Sequence, residues 1–143
     1  MNDAQFLEAF ESLTLPFEQW THRAHVKTAF LYLSHHAFGD ALTKMRTGIK
    51  AFNAKHDVPD NPTSGYNETT TVAFLHLVAA TMAAYSGTFP APNADAFCDT
   101  HTQLMNCHAL RLFYTPQRRM HPDAKQKFIE PDLAPLPKIL DRR

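Results

Sequence analysis

Glycine is scarce in this chain, with four among 143 residues, and helix formers dominate. That composition disfavours a turn-rich fold and reads as mostly helical. Cysteine is nearly absent, and Cys98 and Cys107 fall on one predicted helix. At ~1.5 Å rise per residue they would stand roughly 13 Å apart, too far for a disulfide. Their spacing is not that of a zinc knuckle, so both read as small buried residues. An excess of either charge is missing too: 14 basic residues face 14 acidic ones, and the pI is near 7.1. Nothing in that balance points to nucleic acid or an anionic membrane, and Arg118-Arg119 reads as solvated surface. No apolar run approaches the ~20 residues of a membrane span. The first residues lack the basic-then-apolar order of a signal peptide, so a cytoplasmic location is expected. No repeat or low-complexity stretch occurs.

What is present is helical periodicity. An apolar content of 44% suits one domain with a real core. The spacing predicts a first helix over 3–13, with Phe6, Leu7, Phe10 and Leu13 on one side. Thr21 is a good N-cap for a second helix over 22–37, whose stripe is Val26, Ala29, Phe30, Leu33 and Ala37. Gly39 ends it. Asp40 caps a third helix over 41–56, with Leu42, Met45, Ile49 and Phe52 inward. Gly48 sits inside this helix at a cost of about 1 kcal/mol against Ala, which either close approach of a neighbour or simple tolerance explains. A proline-containing loop covers 57–65. A fourth helix is expected over 67–86, facing the core through Thr71, Phe74, Leu75, Val78, Met82 and Tyr85. Asn93 caps a fifth over 94–114. Short helical pieces follow at Thr115-Pro116 and around 122–129. The expected fold is a single all-α domain over 1–143. It is a bundle of about five helices, with an extended proline-rich C-terminal tail over 131–143 packed on it.

Two histidines one turn apart, in Trp20-Thr21-His22-Arg23-Ala24-His25, open the second helix, and Tyr66-Asn67-Glu68-Thr69-Thr70-Thr71 opens the fourth. The second and third helices are similar in length and joined by a short connection, so they should be antiparallel. The second and fourth then start at the same end, which gathers His22, His25 and Glu68. His22 and His25 head the buried stripe of their helix. The positive field of a helix N-terminus disfavours imidazolium and favours ionised Glu68. Two neutral imidazoles and a carboxylate have the composition of a facial-triad iron site or a catalytic zinc site. Each residue also has a plain structural role. Histidines near helix starts often cap or pack, and a glutamate in a first turn stabilises the helix without further function.

The blocks Trp20 to His25, Gly65 to Thr71 and Phe128-Ile129-Glu130-Pro131-Asp132-Leu133-Ala134-Pro135-Leu136-Pro137 cover most of the chain in order and spacing. They resemble a group of small uncharacterised bacterial proteins. That resemblance implies no reaction. It implies a histidine at the position of Asn67 in relatives, hence a set of three histidines and one glutamate from which this chain departs.

Three readings follow. In the first, a small metal-dependent enzyme acts on a small organic molecule. His22, His25 and Glu68 hold a divalent iron or zinc ion, while Trp20, Tyr66, Asn67 and Thr71 position substrate or bound water and Arg111 holds an anionic group. In the second, the site works without metal. Neutral His22 or His25 is the base and Glu68 its orienting partner, with Tyr66 alongside, as in an isomerase or lyase. In the third, the bundle is a non-enzymatic module that binds a ligand or partner. Nothing in the sequence selects an oligomeric state.

Overall fold

The structure is a computed structural model, and it describes residues 1–139. It is all-α. Among the described residues there is no strand, only an isolated antiparallel bridge between Asn61 and Ser64. Seven α-helices occur among the described residues, five of them seven residues or longer. They are α1 (Asp3–Glu11), α2 (His22–His35), α3 (Phe38–Lys55), α4 (Glu68–Tyr85), α5 (Ala94–Thr100), α6 (Pro116–Arg119) and α7 (Pro122–Gln126). No helix of the described residues is long and apolar enough to cross a membrane.

Local chemistry sets most boundaries. Asn2 and Gln5 close a reciprocal capping box at the head of α1. Thr21 caps α2 by accepting from the Ala24 amide, and Asn93 caps α5 by accepting from the Ala96 amide. The start of α4 is fixed by Asn67, whose side chain accepts from the Thr70 amide. The third helix begins earlier than expected, at Phe38 after the cap residue Ala37, so Gly39 and Asp40 lie in its first turn. An acidic first-turn residue suits the helix field as well there as at the cap.

The expected fifth helix is the main departure. It stops at Thr100, and two 3-10 turns, Thr102–Met105 and Ala109–Leu112, take its place. His101 leaves helical backbone at ψ 63 and is itself buried against Phe97 and Tyr85. Cys98 and Cys107 therefore do not share a helix, and only Cys98 is buried.

α2 lies at the centre, against α3, α4 and α5, while α1 covers α2 and α3. Val26, Ala29 and Phe30 of α2, Met45, Ile49 and Phe52 of α3, and Leu75 and Val78 of α4 are buried as their spacing predicts. Fully burying a Leu or Phe contributes ~1.5–3 kcal/mol. α4 also buries Thr69, Ala73, Leu77 and Ala80. The second buried face meets α7 and the second 3-10 turn, whereas Tyr85 is exposed.

Gly48 is a close-approach glycine. A Cβ there would lie 2.5 Å from Cε2 of Phe10, a ring that is wholly buried. The segment after α7 packs on α4. Thr69 Oγ1 donates to the Lys127 carbonyl at 2.9 Å and accepts from the Ile129 amide at 3.2 Å. The Leu133 amide donates to the Phe113 carbonyl, and the Tyr114 hydroxyl donates to the Ile129 carbonyl. His76 bonds through Nε2 to the Pro137 carbonyl. The tail over 131–139 is extended and attached to the body, with Leu136 partly buried and Leu133 and Ile139 exposed. Leu140 lies outside the described residues.

Candidate functional site

The starts of α2 and α4 do share one end of the bundle. His25 of α2, Thr70 and Thr71 of α4, and Ile49 of α3 line the same two cavities. One is apolar, about 310 Å³, and is walled by Val26, Ala29, Met45, Phe74, Leu75 and Val78 together with His22, His25 and Cys107. The other, about 270 Å³, is lined by Trp20, His25, Asn53, Tyr66 and Asn67 among others. It adjoins a third cavity of about 740 Å³ through Asn53, Val58, Gly65 and Tyr66, which line both. The third is polar and bears Arg46, Lys50, Lys125 and Lys127 against Asp60 and Glu68.

His25 sits at the junction of the first two. Its Nδ1 is 2.8 Å from the Thr21 carbonyl. A carbonyl only accepts, so the proton is on Nδ1 and the lone pair on Nε2. Among the described residues that Nε2 has no hydrogen-bond partner. Nor is it fully buried, since among the described residues the one fully buried unpartnered side-chain polar atom is His56 Nε2. Desolvation pushes the His25 imidazole down to about 4 from its usual 6.5, outweighing the opposing Thr21 contact. The ring is neutral at neutral pH, as the helix field anticipates. Trp20 lies over it with ring centroids 4.0 Å apart, and Phe10 stacks on Trp20 at 4.5 Å. His22 donates through Nε2 to the Leu104 carbonyl at 2.8 Å, which ties the first 3-10 turn to the head of α2. Its ring meets Phe74 edge-on.

Glu68 has a different place. Arg46 donates to it through Nε at 2.9 Å and Nη2 at 2.6 Å, a bidentate pair, and the Tyr66 hydroxyl donates at 2.6 Å. The Arg46 guanidinium, ahead of the Tyr66 contact, holds the Glu68 carboxyl below its usual range. In turn burial, followed by the Glu68 contact, raises the Tyr66 phenol. Both carboxylate oxygens are committed, and Glu68 lines the basic cavity rather than the histidine cavity. Among the described residues no three His, Cys, Asp or Glu side chains stand where one metal ion could join them. The expected donor set of His22, His25 and Glu68 is thus not assembled, and these positions do not fit the iron or zinc centre. Glu68 does not orient His25 either, because the Thr21 carbonyl takes that role.

The other expected residues divide. Thr71 lines both histidine cavities but donates its hydroxyl to the Asn67 carbonyl at 2.9 Å. Asn67 lines the middle cavity while its side-chain oxygen caps α4. Tyr66 lines the middle and basic cavities. Arg111 is exposed on the second 3-10 turn and lines none of the three. Arg46 and Lys50 were not anticipated, although their spacing puts them on one face of α3 with Asn53. Lys125 and Lys127 carried no sequence signal, because α7 returns to this end only through tertiary packing. Gly65 also matters here. At φ +90 its Cβ would meet Asp60 Oδ1 at 2.8 Å, so the turn shaping the floor of two cavities needs glycine.

No protein-family model, no curated protein and no solved structure matches this chain.

Proposed function

We propose that the chain is a small-molecule-binding helical module. Its site takes a largely apolar organic ligand that donates a hydrogen bond to His25 Nε2. The carrying observation is the neutral, singly bonded His25 imidazole at the mouth of the apolar cavity. A lone pair held in fixed direction among apolar walls discriminates by its need for a donor, as small-ligand sites do. A cavity of about 310 Å³ lies in the size range of small-molecule sites. Turnover is less favoured. A base titrating near 4 has little driving force for proton abstraction at neutral pH.

The sole tryptophan, Trp20, lines the middle cavity and reports occupancy. Its fluorescence, titrated with 1-decanol and with decyl methyl ether, tests the reading. The alcohol is expected to bind about five-fold more tightly, one net hydrogen bond. His25→Phe should abolish the preference while leaving the ether bound. No binding by either compound, or equal binding by both, refutes the proposal.

A further inference from the structure

The three cavities form a series. The apolar one meets the middle one at His25, Ile49, Thr70 and Thr71. The middle one meets the basic one at Asn53, Val58, Gly65 and Tyr66. An apolar wall thus lies at one end, a lone-pair acceptor in the middle and a cationic basin at the other end.

The charges of that basin do not cancel. Arg46 is spent on Glu68. Lys125 is spent on Asp60 at 2.8 Å and on the carbonyls of Ser64 and Tyr66. Among the described residues Lys50 and Lys127 form no ion pair. Lys50 lines the basic cavity and is held over the ring of Tyr66, 5.0 Å from its centroid, and Tyr66 itself lines both the basic and middle cavities. The basin keeps two positive charges in excess of its carboxylates. Both side chains are exposed and line one cavity, where their charges add to a net positive field for an anion.

We infer that the ligand is an amphipathic organic anion. Its carboxylate or similar anionic head lies between Lys50 and Lys127, a hydroxyl near the head reaches His25 Nε2, and its aliphatic tail fills the apolar cavity. A medium-chain 3-hydroxy acid has this order of groups. The inference rests on the ligand-binding reading above and adds the charge of the ligand and its direction in the site.

The test compares 3-hydroxydecanoate with its neutral amide by Trp20 fluorescence, well below self-association concentrations. Wild-type protein should bind the acid at least ten-fold more tightly than the amide, and the advantage should shrink with added salt. In the Lys50→Gln/Lys127→Gln double variant acid and amide should converge, the amide affinity staying at its wild-type value. Circular dichroism confirms that the variant is folded, as expected for substitutions at two exposed side chains. Equal binding of acid and amide by wild type overturns the inference and leaves the ligand-binding reading standing. An acid advantage that survives in the double variant overturns the assignment to Lys50 and Lys127. Failure of both compounds to bind overturns the underlying reading and this inference with it.

Discussion

His25 makes stability depend on pH in a way that can be worked through. In the unfolded chain the imidazole titrates near its ordinary 6.5, while in the native protein burial holds it down to about 4. Above ~6.5 neither state binds the proton, so the group has no effect on folding. As pH falls below that, the unfolded state takes up a proton that the native state refuses, and stability declines. The loss is ~2 kcal/mol by about pH 5 and levels off at ~3 kcal/mol below about pH 4, from 1.36 kcal/mol per pKa unit. The substitution His25→Gln removes this term while keeping a polar side chain of similar size. In urea denaturation of wild type and variant at a series of pH values between about 7 and 4, wild type should lose ~3 kcal/mol relative to the variant as pH falls. His101, also lowered by burial, acts in the same direction and remains in both proteins, so the difference between them isolates His25. A constant difference across the series refutes the reasoning. So does an NMR titration in which the His25 ring protonates near 6.5.

Four further outcomes follow from the packing. Gly48→Ala drives a methyl into Phe10, which is stacked on Trp20. The overpacking penalty of ~1–3 kcal/mol should exceed the helix-propensity gain of about 1 kcal/mol, giving a lower urea midpoint and a shifted Trp20 emission. Arg46→Met removes the chief cause of the low Glu68 pKa. NMR should find the Glu68 carboxyl titrating higher, and native stability near neutral pH should fall by more than the ~1 kcal/mol of an exposed pair. Thr69→Val strips both hydrogen bonds between α4 and the segment at Lys127 and Ile129. It should cost ~1–3 kcal/mol and raise amide exchange at Ile129. Gly65→Ala imposes an L-residue at φ +90 against Asp60; a loss of at least ~1 kcal/mol in thermal or urea unfolding is expected.

The α2–α3–α4 frame was legible because each helix carries an apolar stripe and a cap or stop in its own sequence. The convergence of the α2 and α4 starts followed from helix lengths alone. His25 was legible in its position, which its own helix sets at the head of the stripe, whereas burial in the tertiary fold is the main cause of its neutrality. Glu68 shows the limit. Its carboxylate is paired with Arg46, 22 residues away on α3, and no local pattern encodes that pairing. The fifth helix failed for a related reason. Residues 101–114 keep helical apolar spacing, yet the Leu104 carbonyl is needed by His22 and the buried His101 leaves helical backbone. Tertiary demand overrode propensity there.

The basic basin also has a consequence for the order in which the molecule can assemble. Lys125 reaches back 61 residues to the Ser64 carbonyl and 59 to that of Tyr66, and Thr69 grips the Lys127 carbonyl across 58. The histidine cavities are walled mostly by α2, α3 and α4, whose contacts close over shorter spans of chain. Contacts of high sequence separation pay their loop-closure entropy late in folding. During refolding the apolar receptacle should therefore form before its cationic rim. A refolding intermediate that quenches or shifts Trp20 before the amides near Lys127 and Ile129 become protected from exchange would record that sequence of events.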